Sequence, residues 1–180
     1  MDFTGYDALT LEANEREWLQ NLRRLSERDK VEYGIAGRGA WVSEPFTDRQ
    51  PNSVHIPPEI LSMEAFSLYH AHTNETLLSA QDLRLLLNPH VEKIAVITPE
   101  SKVAVASVGY GYRPDMAEFN EAAYQIQMDV GMEIFDNPSF ETMSIQERNA
   151  FAINERAYRL ARRFEWSMEG GELYVSEPVQ

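Results

Sequence analysis

Hydrophobic positions recur at helical spacing through residues 9–29, where Leu11, Trp18, Leu19, Leu22 and Leu25 stand among Glu and Arg. A period near 3.6 residues turns one apolar stripe inward, so this stretch predicts an amphipathic helix at the front of the chain. The period then changes. Residues 31–37 and 40–43 read as two strands joined across Gly37-Arg38-Gly39, a glycine pair suited to a tight turn, which predicts a hairpin. Residues 44–52 contain Pro45 and Pro51 and predict a loop; Ser53-Val54-His55-Ile56 predicts a short strand ahead of Pro57-Pro58. Helix propensity rises briefly over residues 59–64. Residues 65–72 then form a compact apolar and aromatic run, which predicts a buried strand ending at His72.

A helix opening at Ser79 and running to Leu87 stops at Asn88-Pro89, and residues 93–97 and 102–106 follow as a hairpin of β-branched strands. Two longer amphipathic helices are expected over residues 114–135 and 144–164, separated by the turn-rich Asp136-Asn137-Pro138-Ser139. Their Met and aromatic residues, among them Met116, Phe119, Tyr124, Met128, Phe151 and Tyr158, are at helical spacing and are expected in the core. A last strand is expected at residues 171–175. No repeat, low-complexity segment or long linker divides the chain. With 180 residues, 43% of them hydrophobic, it fits one core of ordinary size, so one domain is expected over residues 1–180. The predicted class is α/β, with a mixed or largely antiparallel sheet flanked by helices and an additional helical C-terminal region.

Charge and composition narrow the chemistry. A formal charge of −13 argues against nucleic acid or an anionic membrane as the main partner, because both reward clustered Lys and Arg. It suits a basic protein partner, or simply a soluble acidic surface. The segment Met1-Asp2-Phe3-Thr4-Gly5-Tyr6-Asp7 lacks the basic start and apolar run of a secretion signal, and no apolar run approaches a membrane span. The chain has no cysteine, so a metal must be held by imidazole and carboxylate, and a deaminase-type site built on paired cysteines is excluded.

Residues two apart on a strand share a face, so His70 and His72 would present two imidazoles to one ion. Hydrolytic zinc sites commonly take three protein ligands and leave a fourth position to water, and Asp82 in the first turn of the following helix can supply the carboxylate. Zinc bound there would lower the pKa of its water to roughly 7. Glu32 on the first hairpin is then the candidate proton shuttle, and Ser79 the candidate donor to a developing oxyanion. Each element also has a plainer reading. Ser79-Ala80-Gln81-Asp82 is a helix-capping pattern, a lone His can simply hydrogen-bond within a strand, and Glu32 alone would be an ordinary strand carboxylate. Glu75, three after His72, could be a further ligand but falls in a loop. His55 and His90 lie outside the pattern.

Glu32 in Glu32-Tyr33-Gly34-Ile35-Ala36-Gly37, His70-Ala71-His72 at the end of a strand, and Ser79-Ala80-Gln81-Asp82 after a short loop together resemble the JAB/MPN metalloproteases. Their JAMM motif has an upstream Glu, then His-x-His, then Ser-x-x-Asp. The resemblance spans about residues 30–110 and places the chain nearest the bacterial, phage-associated and toxin-associated branch. It implies a curved mixed sheet flanked by helices, Zn2+ held by His70, His72 and Asp82, and catalysis by Glu32 and Ser79. The implied substrate is a protein or peptide, ubiquitin-like conjugates included. The expected location is cytoplasmic, or within a larger secreted or phage protein. Thr73 stands where the family usually has Pro, and six residues separate His72 from Ser79 where seven are common. These departures keep two alternatives open: a catalytically inactive protein-binding module, and a toxin or phage-assembly domain.

Overall fold

The computed structural model describes Phe3, residues 5–51 and residues 53–173. In chain order the elements are β1 (Asp7–Ala8), α1 (Ala13–Asp29), β2 (Tyr33–Arg38), β3 (Trp41–Val42), α2 (Pro58–Leu61), β4 (Phe66–Ala71) and α3 (Ala80–Arg84). After these come β5 (Val91–Ile97), β6 (Lys102–Ser107), α4 (Met116–Asp136), α5 (Ile145–Arg163) and β7 (Ser167–Glu172). Among the described residues the strands form one mixed sheet in the order β1-β7-β6-β5-β4-β2-β3. The β1/β7 and β4/β5 pairs are parallel and the others antiparallel.

Alternation along the central strands sorts side chains onto two faces. Ile35, Tyr69, Ala71, Ala95, Ile97, Val103 and Val105 pack under α1, which contributes Leu19 and Leu22. The opposite face carries Leu68, Ile94, Val96, Ala104 and Ala106 against Leu83, Leu86, Phe119, Leu160 and Phe164. The sheet is therefore covered on both sides, which explains why β5 and β6 read as nearly continuous apolar runs. His70 continues the Phe66-Leu68 side and so lies on the face that bears α3 and α5.

The helices follow their caps. Glu12 and Glu15 form a reciprocal capping box at the start of α1, as do Ser79 and Asp82 at α3 and Ser144 and Glu147 at α5. The helix expected to reach Leu87 is α-helical only over Ala80–Arg84 and closes in a 3-10 turn over Leu85–Leu87. No helix among the described residues is long and apolar enough to cross a membrane.

Three expectations need correction. Residues 53–56 make no strand beyond an isolated Gln50–Ser53 bridge, because the His55 amide bonds the Asp48 carboxylate at 2.6 Å instead of a neighbouring chain. The last strand lies at Ser167–Glu172 rather than 171–175, of which 174 and 175 fall outside the described residues. Trp166 and Met168 anchor it in the core, and at Gly170 a Cβ would come within 2.2 Å of the Phe3 ring. The short β1, which the alternation does not announce, pairs with that strand. Finally, α4 buries Phe119 and Val130 but leaves Met116, Tyr124 and Met128 exposed. One helix face meets α5, and α4 holds more apolar residues than that face can cover.

Candidate metal centre

The site forms where the end of β4, the approach to β2 and the first turn of α3 converge. β2 and β4 run antiparallel with Gly34 opposite His70. At Gly34 a Cβ would come within 2.5 Å of the Phe46 ring, so the glycine lets that ring lie over the strand. Glu32, two residues earlier, falls on the same side of the strand. Its backbone is clamped by the loop that follows β3: its amide donates to the Gln50 carbonyl at 3.0 Å, and its carbonyl accepts from Thr47 Oγ1 at 2.6 Å. His72 lies one residue beyond β4, yet its amide still donates to the Ile97 carbonyl of β5 at 2.9 Å, which keeps its ring in register with His70.

Three ligand atoms meet. His70 Nε2 and His72 Nε2 are 2.9 Å apart, His70 Nε2 lies 3.2 Å from Asp82 Oδ1, and His72 Nε2 lies 3.9 Å from Asp82 Oδ2. His70, His72 and Asp82 form a group that could hold a metal ion, with ligand atoms all within 4.8 Å of one another. Tetrahedral zinc with bonds of about 2.1 Å would separate its ligand atoms by roughly 3.4 Å, in the middle of this range. The donor chemistry agrees. His72 Nδ1 donates to the Thr76 carbonyl at 2.7 Å, so the Nε2 of a neutral ring carries a lone pair directed at His70 Nε2. Lone pairs and a carboxylate converging with 6% and 7% residual exposure of the two histidines call for a shared cation or a shared proton.

Asp82 is held from behind, its Oδ2 accepting from the amide and the hydroxyl of Ser79, both at 2.7 Å. The capping reading and the ligand reading of Ser79-x-x-Asp82 thus coexist: Asp82 Oδ2 caps α3 while Oδ1 faces the His70 imidazole. The Ser79 hydroxyl gives its single proton to Asp82. The connection between His72 and Ser79 is ordered from both sides. Thr73 donates to the Pro51 carbonyl at 2.6 Å, Thr76 turns onto Asn74, and the Leu77 amide donates to the buried Asn154 at 2.9 Å. Six residues suffice to bring Asp82 to the histidines.

The electrostatics separate the groups. Burial pushes the Glu32 carboxyl up to about 7, with the Asp82 charge adding and His70 opposing. Burial, and then the neighbouring His70, hold His72 down at about 4. Burial would also lower His70, but the charges of Asp82 and Glu32 outweigh it and the ring sits above its ordinary value. Burial opposes ionisation of Asp82 as well, yet His70, His72 and Ser79 keep its carboxyl well below the usual carboxylate range.

Glu75 lies apart from the group, its Oε1 accepting from the Glu100 amide at 3.2 Å. His90 is exposed, and His55 pairs with Asp48 at the rim of the cleft. That cleft, of about 630 Å3, opens over Glu32, His70, His72 and Asp82. The pattern of the sequence did not reveal the Thr76 carbonyl that orients His72, because a backbone acceptor leaves no residue signature. It also gave no sign of Ile153, which α5 brings to the cleft from far along the chain. No family model, curated protein or solved structure matches the chain.

Proposed function

We propose that the chain is a zinc-dependent metallopeptidase or isopeptidase of the JAB/MPN type, hydrolysing an amide bond of a protein or peptide. The observation that carries this reading is the convergence of His70 Nε2, His72 Nε2 and the Asp82 carboxylate beside a buried carboxyl, Glu32, poised near neutrality. His70, His72 and Asp82 would hold the metal, which supplies Lewis acidity and a water made acidic enough to ionise near neutral pH. Glu32 accepts a proton from water and returns it to the leaving amine; a carboxyl pushed up to about 7 can do both. The Thr76 carbonyl fixes the His72 tautomer, and Ser79 positions Asp82. The Ser79 hydroxyl, on the cleft wall, reaches a substrate oxygen only by turning its proton away from Asp82.

The test is metal analysis together with Glu32→Gln. Wild type and variant are expected to bind one zinc each, and hydrolysis of labelled casein or of a ubiquitin isopeptide conjugate should fall about 10²- to 10⁴-fold in the variant. A well-folded protein that takes up no zinc would sink the proposal.

One observation favours a second reading, a protein-binding module. Tyr124, Met128, Met132 and Phe135 form an exposed stripe on α4 with Glu121, Asp129 and Asp136 alongside, and α4 contains no Lys or Arg. Such a face fits a basic amphipathic helix, and acidic borders disfavour a second copy of the same face. A leucine-ridged peptide bordered by lysines should bind more tightly than its glutamate-bordered counterpart, and Met128→Ser with Met132→Ser should abolish the difference. Equal binding of both peptides, or a dimer formed through this stripe, would overturn it.

A further inference from the structure

The lining of the cleft is of two kinds. Glu32, Asp82 and the two histidines gather at the metal-binding group. Phe46, Val54, Ile56, Leu61, Leu85 and Ile153 form an apolar part of the wall, and they come from the loop after β3, from α2, from the turn after α3 and from α5. None of these six is fully buried, and Leu61 keeps 38% of its surface. Apolar side chains from four separate elements thus leave part of their surface facing one concavity, where a ligand group of matching character would remove it from water. No Lys or Arg is among the described residues that line the cleft. A free carboxylate or a phosphate lodged against these apolar side chains would find no Lys or Arg to pair it, while Glu32 and Asp82 repel it.

We propose that this wall is a specificity subsite that receives a bulky, uncharged apolar side chain beside the scissile amide, directing the protein to internal amide bonds and away from free carboxylate ends. The inference rests on the metallohydrolase reading above and adds to it the class of group recognised. A substrate bound with its carbonyl over His70, His72 and Asp82 would have its neighbouring side chain within the same concavity. Ile153 brings α5 to this wall, so that helix takes part in choosing the substrate.

The probes are three hydroxamic acids, which bind zinc through the same head group and differ only in the attached chain. Acetohydroxamic acid has a methyl group, 4-methylpentanohydroxamic acid a branched apolar chain, and succinic monohydroxamic acid a carboxylate. Calorimetric titration into the zinc-loaded protein should show the branched probe binding about tenfold tighter than the methyl probe, with the carboxylate probe weaker than both. In Leu61→Arg the order should shift, the carboxylate probe gaining and the branched probe losing affinity. If the methyl probe binds but the branched one gains nothing, the subsite is overturned while the metal reading stands. If no probe binds in a zinc-dependent way, the metal reading falls and the subsite with it. A carboxylate probe that binds tightest in the wild-type protein would also overturn the subsite, by showing a cation the wall lacks.

Discussion

The two histidines two residues apart reach opposite protonation behaviour by different surroundings. His72 is held low by burial and by its neighbour, and its Nδ1 proton is tied to the Thr76 carbonyl, so at neutral pH its Nε2 is already free to bind a metal. His70 faces Asp82 and Glu32 and keeps its proton to above the ordinary histidine value. Zinc must therefore displace a proton from His70, and affinity should climb with pH. The expected rise is about tenfold per pH unit while His70 remains protonated, levelling off above its pKa. Competition against a chromophoric chelator between about pH 5.5 and about pH 8 would measure the slope. A flat profile would mean that the His70 proton is not what zinc replaces. At this scale the sequence was informative: His70, His72 and Asp82 are brought together as the residue pattern suggested, because β-strand alternation and a helix cap are local rules. The partner of His72 was not legible, because it is a backbone carbonyl delivered by the turn at Asn74–Thr76.

At the scale of elements, α1 is fastened to the sheet by more than its apolar stripe. Glu15 is buried in its first turn and takes hydrogen bonds from Tyr69 of β4, from Lys93 of β5 and from the Glu12 amide, the last at 2.9 Å. Trp18 packs edge-on against the Tyr69 ring at 5.4 Å. Burial alone would raise the Glu15 carboxyl, but Lys93 and Tyr69 outweigh it and the group ends below its ordinary value. The sign of the linkage follows. A carboxyl depressed in the folded state adds stability above the unfolded value of 4.5, and that stability is lost as pH falls through the folded value. Glu15→Gln should cost about 2 kcal/mol near neutral pH, and the deficit should shrink as the medium is acidified below the unfolded value. Urea denaturation of both proteins at neutral pH and near pH 3 would check this; a deficit that grows in acid would contradict it. The helical period announced α1 itself. It could not announce this link, because Glu15 reads as one more polar residue until β4 and β5 are placed beneath it.

For the whole molecule, the pattern of the sequence captured most elements and missed what depends on distant partners. The α/β class, the two hairpins and the long helices rest on periods of 2 and 3.6 that any short window displays. The parallel β4/β5 pairing, the insertion of β7 beside β1 and the exposed stripe of α4 depend on which faces meet, and no local pattern states that. The metal site draws on this long-range order too. His70 and His72 belong to the sheet, while Asp82 belongs to the helical layer above it, so an ion bound by all three would tie one layer to the other. A ligand that binds only the folded state stabilises it by RT ln(1 + [L]/Kd), about 4 kcal/mol at a thousandfold excess over Kd. For a chain of this size that is a rise in Tm of roughly 8 to 16 °C. Calorimetry with and without zinc should show such a rise in the wild type and in His90→Ala, whose ring is exposed and remote from the group. In Asp82→Asn most of the rise should vanish. Because Asp82 also caps α3, that variant will start from a lower metal-free Tm; the zinc-induced increment, not the absolute Tm, distinguishes the two roles. An increment as large in Asp82→Asn as in the wild type would remove Asp82 from the ligand set and leave it as a cap alone.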